Sequence, residues 1–289
     1  MTHPEPQTLD ANSYAVRLQA LRLHLSRLRS VAVAYSGGVD STVLLHAATS
    51  QLGARAAGLL ADSPSLPRQE LHQALETACQ AGLKVTVLAT GEGENPAYRA
   101  NQGDRCYHCK SALFAAMRPW AAAHGFRFLA FGEIPEDLLD DRPGARAARE
   151  FGVVAPLREA GLAKADVRRY AREAGLSVWR KPAGACLASR IPAGTQVTPE
   201  RLARVEEAEE GIRTLGFSVL RVRHHHRRAR VEIGADEMEA ARSLHLALLG
   251  AVRAAGFEEM ELALYRSPQE KRHRPPAGTE GQERGDGRP

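Results

Sequence analysis

The stretch Val31-Ala32-Val33-Ala34-Tyr35-Ser36-Gly37-Gly38-Val39-Asp40-Ser41-Thr42 sets a short apolar run against a glycine-rich turn and a row of hydroxyls. Five apolar residues bounded by a turn predict a buried strand, and the segment from Ser41 predicts a helix. Upstream, Val16, Leu18, Leu21, Leu23, Leu25 and Leu28 fall at mixed helical spacing, so a helix precedes the strand. Downstream the alternation continues. A helix from Thr42 is followed by a strand over 57–61, a helix over 67–81, a strand over 85–88, a helix after Cys109 and a strand over 126–131. Strands that alternate with helices predict a parallel sheet covered on both faces, with ligands beyond the carboxyl ends of its strands. The loops after Tyr35, Ala61, Leu88 and Phe131 are therefore the places to look for chemistry.

Glycines between a strand and a helix let the backbone approach a phosphate, and the N–H groups at the helix start point at the anion. No Gly-Lys-Ser/Thr follows Gly38, so this is not a Walker A loop. Ser36 to Thr42 resembles the pyrophosphate loop of the ATP pyrophosphatase (PP-loop) superfamily, which splits ATP between its α and β phosphates and leaves an adenylated intermediate. That resemblance implies ATP at Ser36, Gly37, Gly38, Asp40, Ser41 and Thr42, with Asp40 helping to hold Mg2+ on the pyrophosphate.

After Pro182 the pattern changes. A helix over 199–215 is followed by strand-like segments over 218–223 and 229–233, joined by His224 to Arg228, then by a helix over 236–255 and a strand over 259–265. Neighbouring strands on a short loop pair antiparallel, which predicts a separate small α+β unit. The expected organisation is α/β: a PP-loop domain over 1–182 with helices on both faces of its parallel sheet, a smaller α+β domain over 183–267, and a disordered tail over 268–289.

Composition narrows the class. The chain has 289 residues, 44% apolar and 25% charged, which excludes collagen-like, wholly disordered and disulfide-scaffold proteins. The start lacks a secretory pattern and no apolar stretch approaches the ~20 residues of a membrane span, so a cytoplasmic protein without a membrane partner is expected. The net charge of +5 comes from 39 Lys and Arg against 34 Asp and Glu. Only Lys84, Lys110, Lys164, Lys181 and Lys271 are lysine; an Arg-heavy balance fits bidentate anion recognition and a compositional bias equally.

Cys106 and Cys109, in Asp104-Arg105-Cys106-Tyr107-His108-Cys109-Lys110, lie just ahead of an expected helix, and Cys186 lies in Lys181-Pro182-Ala183-Gly184-Ala185-Cys186-Leu187-Ala188-Ser189-Arg190-Ile191-Pro192. Two thiols at this spacing suit a metal, a cluster, a redox disulfide, or no ligand at all. Three on a cubane cluster leave one iron open. Cys79, beside Leu71, Leu75 and Ala78, is expected in the core. Arg221 and Arg223 share a strand face and suit one phosphate gripped bidentately, or cross-strand pairing with Glu232 and Arg230. His224, His225 and His226 fit a surface turn better than a metal site, and Glu206, Glu207, Glu209 and Glu210 fit a wet helix face.

Taken in order, Ser36 to Thr42, the Cys106/Cys109 pair, Asp140-Asp141-Arg142-Pro143-Gly144, Cys186 to Pro192 with Gly194-Thr195, and Arg221-Val222-Arg223 resemble the LarE family, the ATP-dependent sulfur transferases of nickel-pincer cofactor biosynthesis. The resemblance runs from about Val31 to Tyr265. It implies adenylation of a carboxylate of pyridinium-3,5-biscarboxylic acid mononucleotide and replacement of its oxygen by sulfur. One branch of the family sacrifices a single cysteine; the three-cysteine branch carries a [4Fe-4S] cluster, here on Cys106, Cys109 and Cys186. The resemblance also places the substrate phosphate on Ser189, Arg190, Arg221 and Arg223 where the two domains meet, assigns Cys186 and Asp40 catalytic roles, turns Glu209 toward the site and implies a homo-oligomer. It leaves the external sulfide donor open. The family pattern has Asn, Tyr and Tyr where this chain has Pro135, Asp141 and Ala193, in loops on the substrate side. Of the alternatives, a transfer-RNA thiolase would add an aromatic-rich basic platform, whereas Phe, Trp and Tyr make up 5% of the chain, so nucleic acid is not an expected partner. An amide-forming ligase would not need the three cysteines, and a silent nucleotide sensor would not need an intact loop.

Overall fold

A computed structural model describes residues 7–139, 143–182 and 184–266. Asp140 to Arg142, with the departure at Asp141, and the tail lie outside the described residues. The elements are α1 (Gln7–Leu28), β1 (Val31–Tyr35), α2 (Val39–Leu52), β2 (Ala56–Asp62), α3 (Arg68–Gln80), β3 (Val85–Ala89), α4 (Pro96–Ala100), α5 (Arg105–Ala123), β4 (Phe128–Phe131), α6 (Pro143–Glu150), α7 (Pro156–Glu159), α8 (Lys164–Glu173), α9 (Pro199–Thr214), β5 (Leu220–His225), β6 (Arg228–Ile233), α10 (Met238–Ser243), α11 (His245–Ala254) and β7 (Glu259–Leu264).

The four strands β3-β2-β1-β4 are all parallel, as the alternating pattern predicts. Successive side chains of a strand face opposite ways, and β1 shows it. Val31, Val33 and Tyr35 pack among Leu21, Leu25, Leu44 and Val167 of α1, α2 and α8. Ala32 packs on the other face among Phe114 and Met117 of α5 and Ala147 of α6. The strand order reverses beside β1, so the crevice beyond β1 and β4 is the expected ligand position of an open α/β sheet.

The chain divides into two compact units after Glu206, inside α9. The change of pattern after Pro182 does not mark that division, because residues 184–206 are bonded into the first unit. Leu187 N–H donates to Ser65 O (2.8 Å), Gly194 N–H to Asn101 O (2.9 Å) and Val197 N–H to Arg99 O (2.9 Å). The Cys186 segment therefore sits with the parallel sheet.

In the second unit β5 and β6 are antiparallel and β7 joins β6 in parallel. The strands run further than expected and leave only His226 and Arg227 in the turn, where His226 has φ +54°. His224 therefore belongs to β5 and is buried, while His225 and His226 are exposed. The helix expected over 236–255 is broken at Leu244 into α10 and α11. Cys79 is exposed, not in the core. On α3 the buried stripe is centred on Ala74 and Ala78, one turn apart; Cys79 lies a further 100° round the helix and faces out.

Candidate functional site

The turn after β1 is shaped by Gly37, whose φ is +70° and whose missing Cβ would lie 2.5 Å from the Cβ of Ala74 on α3. Tyr35 Oη donates to Ala74 O (2.9 Å), fixing α3 against the end of β1. Within the loop, Ser41 Oγ donates to Gly38 O (3.1 Å) and accepts Ser36 N–H (3.1 Å); it also pairs with Ser36 Oγ (3.1 Å). Thr42 Oγ1 donates to Gly38 O (2.8 Å) and is fully buried. Thr42 thus holds the loop from behind, and Ser36 is the hydroxyl residue that faces solvent. A Cβ on Gly132, just past β4, would fall 2.8 Å from Ser41 N, so a glycine there is what lets β4 end against the helix start.

Asp40 does not stand open. Both of its carboxylate oxygens accept from Lys164 Nζ, at 2.8 and 2.6 Å. Burial raises the Asp40 pKa, and the Lys164 ammonium pulls against that rise. Lys164, the first residue of α8, is carried there by packing of α8 on α2, and Glu136 Oε1 accepts its backbone N–H (2.8 Å). The sequence reading passed over Lys164. Its one available signal was rarity, a lysine in a chain whose cations are almost all arginine.

The helix expected after Cys109 starts instead at Arg105, so Cys106 and Cys109 both lie in the first turn of α5, three residues apart and on one face. Cys106 and Cys186 are exposed and Cys109 is partly covered. Burial, then the charges of Glu92, Cys186 and Cys106, push the Cys109 thiol up to about 12, while Arg105 acts the other way. Cys186, about 80 residues further along the chain, is thus brought within electrostatic reach of Cys109.

A hydrogen-bonded staple holds Cys186 there. Asn101, in the left-handed region at φ +55°, donates from Nδ2 to Pro192 O (2.8 Å) and Thr195 O (2.9 Å). Arg105 Nη1 donates to Asn101 Oδ1 (2.9 Å) and to Ala188 O (2.7 Å). Arg190 is buried, and its Nη1 donates to Ala185 O (2.6 Å), Cys186 O (3.1 Å) and Ser189 Oγ (3.2 Å). In this structure Arg190 braces the cysteine segment. Pro135 is half-buried at the start of a 3-10 turn and Ala193 is exposed.

In the second unit, Arg221 and Arg223 share a face of β5. Arg223 donates from Nε and Nη2 to Glu232 Oε2 (3.2 and 3.1 Å), and the Arg221 guanidinium lies 5.0 Å from the ring centre of Tyr265. Glu209 is buried; it accepts Val222 N–H at 3.1 Å and Arg213 Nη2 at 3.1 Å, so it satisfies the outer edge of β5. Among the described residues, no three His, Cys, Asp or Glu side chains are grouped to hold a single metal ion, the histidine run included, and no helix is long and apolar enough to cross a membrane.

A parallel sheet with a glycine turn and helix start at its switch point defines a protein of the PP-loop type. No protein-family model matches the chain. It is 34% identical over 220 residues to the pyridinium-3,5-bisthiocarboxylic acid mononucleotide synthase of Lactiplantibacillus plantarum, covering 76% of this chain and 80% of that protein. It is 40% identical over 223 residues to an uncharacterized protein of Synechocystis, covering 77% and 83%. An uncharacterized protein of Methanocaldococcus jannaschii is 26% identical over 244 residues, covering 83% and 92%. The chain belongs to the family of the pyridinium-3,5-bisthiocarboxylic acid mononucleotide synthase.

Proposed function

We propose that the chain is a cytoplasmic ATP-dependent sulfur transferase that adenylates a carboxylate of pyridinium-3,5-biscarboxylic acid mononucleotide, releases pyrophosphate and converts that carboxylate to a thiocarboxylate. The observation that carries this reading is the meeting, in one unit, of a PP-loop at the sheet's switch point with three cysteines held together by the Asn101–Arg105 staple. A phosphate-binding loop alone would suit many acceptors. The cysteines select sulfur.

In this reading the backbone N–H groups at the start of α2 and the Ser36 hydroxyl receive the phosphates, and Lys164 balances their charge. Asp40 is the carboxylate that would hold Mg2+, exchanging its Lys164 contact for the metal. Gripping the nucleotide there sets the reacting carboxylate near the cysteine segment, which raises the effective concentration of the sulfur source. The substrate phosphate is assigned to Arg221 and Arg223.

Three thiols suit an iron–sulfur cluster with one iron left open. Cys106, Cys109 and Cys186 would hold such a cluster, and it would supply an iron able to carry sulfide. The test is anaerobic incubation of the iron-loaded chain with ATP, Mg2+, sulfide and the mononucleotide. The expected product is heavier by the exchange of oxygen for sulfur, with pyrophosphate released. Sulfur transfer with dehydroalanine left at Cys186 would assign the sacrificial route instead.

A further inference from the structure

α8 carries Lys164, Arg168 and Arg172 at i, i+4 and i+8, along one side of the helix, and Lys164 at its first position already holds both oxygens of Asp40. Arg168 stands one turn further on, and its charge acts on Asp40 as well. Beside Lys164 opens a groove of about 460 Å³, lined by Ala165, Arg168, Arg169, Arg172, Trp179 and Arg180. Four cations and no carboxylate line it, in a chain whose whole net charge is +5. Arg169 is engaged, with Glu173 at 2.8 Å and over the Tyr14 ring at 4.2 Å. Arg168, Arg172 and Arg180 are exposed, and among the described residues no carboxylate stands within ion-pair distance of them. Trp179 packs against the core and carries the Arg180 guanidinium 4.2 Å from its ring centre, so that cation lies over a fixed surface. Like charges at i, i+4 destabilise a helix, and a lysine at its first position opposes the helix dipole. The helix end accounts for Arg172 and the indole for Arg180; nothing in the packing of α8 calls for Arg168 between two other cations.

Resting on the adenylation reading above, we infer that this groove is a pyrophosphate subsite, which takes the leaving group from the loop and holds it away from the acyl-adenylate. In adenylation the carboxylate oxygen bonds to the α phosphorus as the bond from that phosphorus to the α–β bridging oxygen breaks, and pyrophosphate leaves with the electron pair. Pyrophosphate that lingers at the loop attacks in reverse. Guanidinium forks that grip its phosphoryl oxygens in pairs, one helical turn from Lys164, draw it off first. A local excess of positive charge also steers a small polyanion along α8 and away from the loop.

The test fills the loop first. The whole chain is saturated with α,β-methylene-ATP and excess Mg2+, which occupy the loop without reacting, and pyrophosphate is titrated in by calorimetry at physiological ionic strength. One further pyrophosphate is expected to bind the wild type, roughly tenfold tighter than inorganic phosphate, because two phosphoryl groups meet two forks. The combined variant Arg168→Gln, Arg172→Gln and Arg180→Gln is expected to bind it roughly tenfold more weakly, with a smaller change in affinity for the analogue, and pyrophosphate should become a correspondingly weaker product inhibitor. No further binding to the loaded wild type, equal affinity for phosphate and pyrophosphate, or unchanged binding in the combined variant overturns the subsite and leaves the loop reading standing. A wild type that does not bind the analogue overturns the loop reading, and the subsite falls with it. If the combined variant does not fold, Arg168→Gln alone serves: it must weaken the further pyrophosphate severalfold, and unchanged affinity sinks the proposal.

Discussion

Lys164 sits on Asp40, the carboxylate proposed to hold Mg2+, 124 residues away in sequence and delivered by the docking of α8 on α2. A cation placed to balance phosphate charge acts in the transition state, so Lys164→Met is expected to lower pyrophosphate release by roughly 10²-fold, with Lys164→Arg recovering part of it. A steady-state assay checks this; a variant that melts lower but turns over normally would reduce Lys164 to a salt bridge. Cys109 gives a second prediction. With its thiol pushed up to about 12, almost none is thiolate at neutral pH, so in the metal-free chain iodoacetamide should modify exposed Cys79, Cys106 and Cys186 well before Cys109. The Cys109 rate should climb steadily toward alkaline pH, as peptide mapping would show. Neither Lys164 nor the covering of Cys109 was legible in the sequence, because both depend on which distant element lands beside them. The loop residues were legible, since Ser36 to Thr42 is local chemistry. Within that loop only the split between the solvent-facing Ser36 and the fully buried Thr42 needed the fold.

Elements were read well where one period dominates and poorly at their edges. β1 and most of β2 are short apolar runs buried on both faces, and such runs announce themselves, whereas β3 at the sheet edge has no fully buried residue. The start of α5 was missed although Asp104, at its N-cap, is a residue type that marks helix starts. Cys79 was placed in the core by apolar company; helix phase puts it outside. The PP-loop tests the element argument directly. Gly37→Ala must hold a side chain at φ +70°, at a cost of about 1–2 kcal/mol for the left-handed conformation, and must also push Ala74 away. It is expected to lower the melting temperature and abolish pyrophosphate release together, whereas Gly53→Ala, also at positive φ but with open space around it, should lower stability alone. The staple offers a further test. Asn101→Gly keeps the left-handed backbone but strips the amide from the part-buried Pro192 O and Thr195 O, at about 1 kcal/mol for each bond lost. The Cys186 segment should loosen, seen as faster alkylation of Cys186 in urea-free buffer.

At the scale of the whole molecule, the change of pattern after Pro182 was legible and the division after Glu206 was not. A loop's hydrogen bonds back onto an earlier element leave no mark in its own composition. The second unit poses the sharper question, because its arginine pair admits both readings that residue spacing allowed. Arg223 is engaged with Glu232, which sits opposite Arg221 across the β5–β6 ladder. If the pair is only cross-strand stabilisation, Arg223→Ala and Glu232→Gln should both lower the melting temperature and leave the mononucleotide KM alone. If the guanidiniums anchor a phosphate, Glu232 competes with that phosphate for the same fork. Removing its charge with Glu232→Gln should then lower the mononucleotide KM, while Arg223→Ala should raise it by the equivalent of about 1.5–3 kcal/mol and leave the KM for ATP nearly unchanged. Arg223→Lys should recover stability more fully than KM, since a point charge can face Glu232 but cannot grip a phosphate at two oxygens. Opposite movements of KM in Arg223→Ala and Glu232→Gln are the signature of a phosphate site; parallel losses of stability with constant KM would return both residues to the sheet.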